Sequence, residues 1–281
     1  MKNSNNKLLS IIIPSYNSEK TIGKCLKSII EQNKKDWVEI IIINDNSKDK
    51  TLSICKNYQK KIGKENFKIL SLAKNNGPGF CRNAGIKNSN GNFLAFLDSD
   101  DFLLKNSLNI LKKIITNKNP DILINNHLRN KKPFTHDLFF KNFKKKILNK
   151  NEFLKIFLTE KLNINECWKI IVKREIVKKN KIYFPSIYIG EDQCFVIETM
   201  IKSHKIYINK QPIVYHFSSL TGLSSGNFLD MSMVSIFLIN YFYNLKCSSN
   251  LEKKLIFEKL NYLETSLYIN VLNLKEDNET E

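Results

Sequence analysis

Short runs rich in Ile, Leu, Val and Phe recur through the first 125 residues, and a helical pattern follows each of the first four runs. Residues with these side chains form strands that are buried on both faces of a parallel sheet. The five runs are residues 9–13, 38–43, 67–72, 92–97 and 121–125. Strands that alternate with helices in this way indicate a mostly parallel sheet covered by helices on both faces. The sequence therefore predicts an α/β fold.

The alternation weakens after residue 126. Residues 127–150 are polar and basic and suggest a connecting excursion, while residues 166–180 are predicted to be helical in part. Gly190 precedes an apolar-periodic helix, and residues 206–208 and 213–217 have the composition of strands. Residues 229–273 predict two further helices.

Lysine dominates the charge of this chain. The net charge is +18, and 42 of the 45 cationic residues are Lys because Arg occurs only three times. Residues 131–181 hold 15 Lys and Arg against 5 Asp and Glu, including Lys144, Lys145 and Lys146. Such a patch suits anionic lipid or a phosphate-bearing substrate, although a solvated lysine-rich face or AT-rich codon usage explains it equally simply. The scarcity of Arg and the lack of a nucleic-acid-binding motif argue against specific nucleic-acid recognition.

The cysteine pattern and the N-terminus suggest a compartment. Six Cys are scattered without a CxxC pair, which disfavours a zinc ribbon. No signal peptide and no run of about 18 apolar residues is visible. We expect a cytoplasmic protein, with peripheral contact at the inner face of the cytoplasmic membrane as an option.

Acidic residues follow two of the predicted buried strands. Asp45 follows the second strand, while Asp98 and Asp100 follow the fourth. Ligands bind beyond the carboxyl ends of parallel strands, and two carboxylates with phosphate oxygens and water suit Mg²⁺ or Mn²⁺. The alternative for the second group is helix capping, and Asp101 fits the capping role best. Asp45 is a candidate acceptor for a base N–H, unless it belongs only to a loop.

Three further positions carry candidate chemistry. Residues 75–85 contain Gly-x-Gly but match neither a dinucleotide fingerprint nor a P-loop, and Arg82 near the helix start suits a diphosphate. Glu191 and Asp192 open a helix, where acidic residues are favoured by the dipole, yet such a carboxylate also suits a general base. His216 is either a structural histidine or a ligand of metal or phosphate.

Five segments occur in an order that resembles the inverting family 2 glycosyltransferases of the GT-A fold. They are residues 11–19 (IIIPSYNSE), 39–51 (EIIIINDNSKDKT), 75–85 (NNGPGFCRNAG), 96–101 (FLDSDD) and 188–192 (YIGED). The resemblance covers about residues 8–220. It implies a Rossmann-like, mostly parallel sheet flanked by helices, with a helical C-terminal extension. The implied domains are 1–220, divided into a nucleotide-sugar half (8–126) and an acceptor half (127–220), and an extension over 221–281.

The resemblance also implies roles for individual residues. Donor binding is assigned to Pro14, Ser15, Tyr16, Asp45, Arg82 and Asp98. Asp100 is the implied ligand of Mn²⁺ or Mg²⁺, with Asp98 and, as a further candidate, His216 beside it. Asp192 is the implied catalytic base, and Glu191 orients the acceptor or the sugar. The second segment departs from the usual Asp-Asp-Gly-Ser pattern, since Asn44 replaces the first Asp.

The implied reaction moves a sugar from a nucleotide-sugar, by family habit a UDP-sugar, to a hydroxyl of a growing surface glycan. Capsule and lipooligosaccharide are typical products, and the acceptor is a free or lipid-linked glycan. A non-catalytic sugar-nucleotide-binding protein on the same fold is the alternative function.

Overall fold

The computed structural model describes residues 7–32, 37–129, 132–133, 146–159, 164–187, 189–217 and 228–279. The strands are β1 (Leu9–Ser15), β2 (Val38–Asn44), β3 (Phe67–Ser71), β4 (Phe93–Phe96), β5 (Phe102–Leu103), β6 (Ile122–Arg129), β7 (Lys132–Pro133), β8 (Ile147–Asn149), β9 (Ile170–Lys173) and β10 (Lys205–His216). The helices are α1 (Ile22–Ile30), α2 (Thr51–Ile62), α3 (Gly77–Lys87), α4 (Ser107–Lys118), α5 (Lys150–Thr159), α6 (Arg174–Lys179), α7 (Glu191–Lys202), α8 (Phe228–Tyr243) and α9 (Asn250–Glu279).

Four of the five predicted strands of the N-terminal region form a parallel unit in the order β3-β2-β1-β4. Ile11 of β1 lies opposite Ile40 of β2 on one side and Ala95 of β4 on the other. All seven residues of β2 are buried, as expected for a strand covered on both faces. This unit carries the carboxyl ends of β1, β2 and β4 to one edge of the sheet.

The second half of the sheet contains a strand that the helical pattern obscured. Residues 166–180 form a 3₁₀ turn (Cys167–Lys169), then β9, then α6, so only part of this segment is helical. Strand β9 is antiparallel to both β4 and β6, which it joins. The fifth predicted strand, β6, pairs in parallel with β10. The two predicted strands at 206–208 and 213–217 are one continuous strand with an irregular register around Pro212.

Two hydrophobic layers cover the sheet. Alternate residues of β1 face opposite layers. Ile12 belongs to the layer that contains residues of α3, α5, α7, α8 and α9, and Ile11 belongs to the layer that contains residues of α1, α2 and α4. The C-terminal helices join the first layer through Leu238 and Phe242 of α8 and through α9. The C-terminal stretch is therefore part of the main core, while Met233, Ile236 and Tyr243 on its outer side are exposed.

The structure describes some of the residues on which the remaining expectations depend. None of their helices is long and apolar enough to cross a membrane. The domain boundaries at 126 and 220 stay predictions, and Lys144, Lys145 and Tyr188 lie outside the described residues. All six Cys are free thiols, and five of them are buried.

Candidate active site

The loops that follow β1 and β2 are joined by hydrogen bonds into one wall. The Asn17 N–H donates to Ser47 Oγ (3.1 Å), and the Lys48 N–H donates to Asn17 Oδ1 (2.9 Å). Ser18 precedes the first helical pattern but does not cap it, because α1 begins at Ile22. The Ser18 hydroxyl instead lies 2.7 Å from that of Ser99, in the acidic loop after β4. The wall therefore fixes three strand-end loops relative to one another.

Three predicted donor-binding residues lie on or directly after β1. Pro14 pairs opposite Ile43 in the sheet, and the Ser15 hydroxyl donates to the Ile43 carbonyl at 3.4 Å. Tyr16 is 49% exposed, so its ring is accessible at the strand end. This arrangement supplies one open aromatic face beside a closed, hydrogen-bonded strand end.

Asp45 has a structural task that the sequence did not reveal. Its carboxylate is buried and accepts the N–H groups of Asn76 and Gly77, each at 2.9 Å. These two N–H groups lie at the start of α3, where the backbone has unsatisfied donors. Asp45 thus attaches the start of α3 to the end of β2, and its contact with a nucleotide base stays a prediction.

Arg82 is at the centre of the site. Its Nη1 donates to Glu191 Oε1 (2.8 Å) and Asp192 Oδ1 (2.7 Å), and its Nη2 donates to Asp98 Oδ1 (2.9 Å). Only 4% of Arg82 is exposed. We call Arg82, Asp98, Glu191 and Asp192 the Arg82 cluster. The structure therefore brings together four residues that the sequence assigned separately to donor binding and to catalysis.

Close backbone packing positions this cluster. Helix α3 lies so near β1 that a Cβ at Gly85 would come within 2.3 Å of an Ile12 methyl carbon. Gly190 has a φ of +85°, a conformation that favours glycine, and it turns the chain into α7 so that Glu191 and Asp192 form the first turn. The second oxygen of Asp192 accepts the Cys167 N–H at 3.2 Å. The base candidate is thus held from two sides.

In the cluster, three carboxylates surround one guanidinium. Two of these carboxyl groups have raised pKa values. Burial and the charge of Asp192 raise the pKa of Glu191 to about 7. Burial raises the pKa of Asp192 too, against the opposing influence of Arg82, and the charge of Asp98 adds to the rise. Perturbed carboxyl pKa values of this kind are typical of functional sites.

Asp101 does not cap a helix. Helix α4 begins only at Ser107, and Asp101 is buried with its carboxylate 3.0 Å from His216 Nδ1 and 2.9 Å from the Phe217 N–H. His216 also stacks on Trp168, with ring centroids 4.7 Å apart. Burial by itself lowers the pKa of His216, but the hydrogen bond and charge of Asp101 raise it above the usual value. His216 is therefore anchored beside the acidic loop.

The acidic loop after β4 supplies carboxylate oxygens for a metal ion but does not form a complete set of ligands by itself. Burial and the charge of Asp98 raise the pKa of Asp100, while His216 opposes that rise, so these three groups influence one another. Within the described part of the chain, no three His, Cys, Asp or Glu side chains form a candidate metal cluster. Mg²⁺ is usually held by one or two carboxylates together with substrate phosphates and water, so this donor set fits such an ion.

Comparison with known proteins identifies the family. The model of glycosyl transferase family 2 matches residues 10–180, which are 171 of the 281 residues. The chain belongs to glycosyl transferase family 2. Poly(ribitol-phosphate) beta-N-acetylglucosaminyltransferase TarS of Staphylococcus aureus is 29% identical over 217 residues, covering 76% of this chain and 36% of the relative. The chain thus spans about a third of the length of that family 2 relative.

Solved structures share the fold. Residues 1–349 of S. aureus TarS, in complex with UDP-GlcNAc, superpose with a TM-score of 0.73 at 24% identity, covering 92% of this chain and 73% of that one. A mannosyltransferase from Pyrobaculum calidifontis in complex with GDP-Man and Mn²⁺ gives a TM-score of 0.66 at 13% identity, covering 99% and 77%. The predicted GT-A type α/β fold is confirmed.

Sequence reasoning missed the residues that position the candidates. Asp101 was assigned to a cap, and neither Trp168 nor the Cys167 backbone was singled out. Cys167 and Trp168 begin the short 3₁₀ turn before β9, and only the three-dimensional pairing of β9 with β4 and β6 brings them to the site. A third Asp directly after Asp-x-Asp, with a His far along the chain, was the available signal for the Asp101–His216 pair.

Proposed function

We propose that this family 2 protein is an inverting glycosyltransferase that uses a nucleotide-sugar donor and a divalent metal ion to glycosylate a hydroxyl of a surface polymer. The observation that carries the proposal is the Arg82 cluster, which joins the predicted donor side (Asp98) to the predicted base (Asp192) through one guanidinium. The UDP-GlcNAc bound by the TarS neighbour supports a UDP-sugar donor. The polymer acceptor is supported by the name of the curated relative.

In the proposed reaction, the Asp192 carboxylate accepts the proton of the acceptor hydroxyl. The hydroxyl oxygen then bonds to the anomeric carbon on the face opposite the nucleoside diphosphate, whose C–O bond breaks, so the configuration inverts. Arg82 and the Cys167 N–H hold one oxygen of Asp192 each, which orients the base and stabilises its ionised form. A positioned base of this kind contributes about 10²- to 10⁴-fold.

The diphosphate leaving group gains negative charge as the bond breaks. We assign Asp100 as the principal metal ligand, with Asp98 nearby and His216 presenting Nε2 because Asp101 occupies Nδ1. A bound Mg²⁺ or Mn²⁺ supplies Lewis-acid stabilisation to the diphosphate oxygens. The Mn²⁺ in the Pyrobaculum neighbour supports a divalent ion without deciding which one. Tyr16, Ser15, Pro14 and Asp45 are assigned to the nucleoside.

The test is a screen of UDP-, GDP-, dTDP- and CMP-sugars with Mn²⁺ or Mg²⁺, recording nucleotide release and thermal shift. We expect one donor class to raise Tm and to be slowly hydrolysed. Asp192→Asn should lower turnover by about 10²- to 10⁴-fold while the donor still raises Tm. Asp100→Asn should abolish the metal-dependent part of the Tm shift.

Glu258→Gln, on the exposed side of α9, is the matched control and should behave like the wild type. Near-normal turnover in Asp192→Asn would remove that residue from the base role. A donor that binds and raises Tm but is never turned over, with or without acceptor, would favour the non-catalytic binding protein.

A further inference from the structure

A pair of lysines lies beside the backbone group that holds the proposed base. Lys259 of α9 donates to Asn165 Oδ1 at 2.7 Å, and Lys169 of the 3₁₀ turn pairs with Glu166 Oε2 at 2.7 Å. Asn165 and Glu166 directly precede Cys167, whose N–H donates to Asp192 Oδ2. The C-terminal helix thereby places a cation within two residues of the segment that contacts the base.

The described residues neutralise the positive charge of Lys259 only in part. Lys259 forms no ion pair with any carboxylate of the described residues, and its hydrogen-bond partner is a neutral amide. Glu166 lies within ion-pair distance of Lys169 rather than of Lys259. Burial lowers the pKa of Lys259 to about 8, although the charge of Glu166 opposes that shift. Within the described residues this partly buried cation lacks an ion-pair partner, which is unfavourable for folding and points to an anionic partner that arrives from outside.

The two lysines are connected to a different oxygen of Asp192 from the one that Arg82 holds. The Oδ1 atom of Asp192 faces Arg82, which also holds Asp98, whereas Oδ2 faces the chain segment that carries Asn165 and Glu166. The lysines therefore lie along the segment that holds the Oδ2 atom of the base. An acceptor must approach the base from a side that the donor leaves open.

We propose that Lys259 forms a subsite for a phosphodiester of the acceptor polymer. A phosphodiester has one negative charge and two oxygens that accept hydrogen bonds from ammonium groups. In a polyol phosphate, every hydroxyl is only a few bonds from a phosphodiester, so a unit whose phosphodiester is held by Lys259 has a hydroxyl nearby to offer to Asp192. This inference rests on the proposed function and narrows its acceptor to a phosphate-containing chain.

The experiment compares wild type, Lys259→Met, Lys259→Arg and Lys254→Met, the last being an exposed lysine of the same helix. The acceptor is poly(ribitol phosphate) or poly(glycerol phosphate), and KM is measured separately for polymer and donor. We expect Lys259→Met to raise the polymer KM about tenfold or more, and the increase to fall on the polymer rather than on the donor. Lys259→Arg should restore most of the affinity, and Lys254→Met should change it less than twofold.

Thermal stability gives a second readout that does not need turnover. Lys259→Met should keep or raise the Tm of the protein without ligand, since it removes a poorly compensated cation. The polymer should raise the Tm of the wild type more than that of Lys259→Met. Equal losses in Lys259→Met and Lys254→Met would mean diffuse attraction by the basic surface and would overturn the subsite.

The remaining outcomes also decide. A raised donor KM in Lys259→Met would assign the lysine to the donor diphosphate instead, and a lowered Tm with an unchanged polymer KM would make it purely structural. If no donor is hydrolysed or transferred by the wild type, the proposed function fails. The polymer-dependent Tm shift then still tests the subsite, because it measures binding alone.

Discussion

Asp45 and Asp98 both follow strands of the same parallel unit, yet their carboxylates are compensated in different ways. Asp45 accepts two backbone N–H groups at 2.9 Å. Asp98 shares the guanidinium of Arg82 with Glu191 and Asp192. The first site is complete by itself, whereas the second has more carboxylates than cations and raised pKa values in Glu191 and Asp192. The Arg82 cluster is therefore the place where we expect a change of protonation during function.

The largest expected effect comes from removing the shared cation. Arg82→Met leaves three carboxylates close together in a mostly buried site, and breaking a buried ion pair in this way costs about 3–5 kcal/mol. The free energy of unfolding from urea denaturation at pH 7 measures the loss. Turnover should fall as well, because Asp192 loses the group that orients it.

Arg82→Lys sharpens the same test. A single ammonium cannot contact Asp98 and Asp192 through separate, rigidly spaced donors as the guanidinium does, so we expect only partial recovery of stability. An unfolding free energy for Arg82→Met within 1 kcal/mol of the wild type would show that the cluster does not depend on its cation. The contrast with Asp45 would then be lost.

An intermediate effect distinguishes the two aspartates directly. In Asp45→Asn, the amide oxygen can accept one N–H, but the NH₂ group faces the other, leaving a buried donor unsatisfied at a cost of about 1–3 kcal/mol. Asp98→Asn still offers an oxygen to Arg82 and removes one excess negative charge, so its stability should change by less than about 1 kcal/mol. Urea midpoints at equal m-values compare the two.

The two variants should lose different properties, and this contrast is the informative result. Asp98→Asn should combine near-normal stability with reduced donor-dependent thermal shift, whereas Asp45→Asn should unfold more easily before any donor is added. Equal destabilisation in both variants would contradict the interpretation that one carboxylate is structural and the other is held for ligand binding.

The sequence predicted the parallel unit because its signal is local. A run such as residues 38–43 is rich enough in Ile to predict a strand buried on both faces, without knowledge of the strands that pair with it. Strand β9 has only four residues, and its pairing with β4 and β6 depends on contacts distant in sequence. A short apolar run of this kind does not distinguish strand from helix by periodicity.

The same limit applies to the site. Asp98, Glu191 and Asp192 were recognisable as residues at element ends, and each was assigned a role from its own surroundings. Arg82 was recognised too, as a candidate for donor binding, but its contact with all three carboxylates was not predictable, since it lies 16, 109 and 110 residues away from them in sequence. Ser18 shows the same limit, because its hydroxyl hydrogen-bonds to Ser99, 81 residues further along the chain, rather than to the following helix.

The smallest expected effect concerns a single proton. Glu191 has a folded pKa of about 7, above its ordinary value of 4.5, because burial and then Asp192 disfavour its charged form. Its contribution to stability is therefore fully present below pH 4.5 and is lost as the pH rises through about 7. Glu191→Gln keeps an oxygen for Arg82 and is neutral throughout, so it should gain stability relative to the wild type above pH 7, with the difference disappearing below pH 4.5. Urea denaturation across this range measures it.

The pH dependence of catalysis should report the same proton. A rise in pH through about 7 lowers the free energy of unfolding, whereas it should increase activity. Glu191 and Asp192 titrate as a coupled pair, so protons taken up near pH 7 reduce the fraction of enzyme with an ionised base. We expect kcat/KM of the wild type to fall as the pH drops through about 7. In Glu191→Gln the acid limb should move down by about one pH unit, equivalent to about 1.4 kcal/mol. An acid limb that stays near pH 7 in this variant would show that the proton belongs to a group other than Glu191.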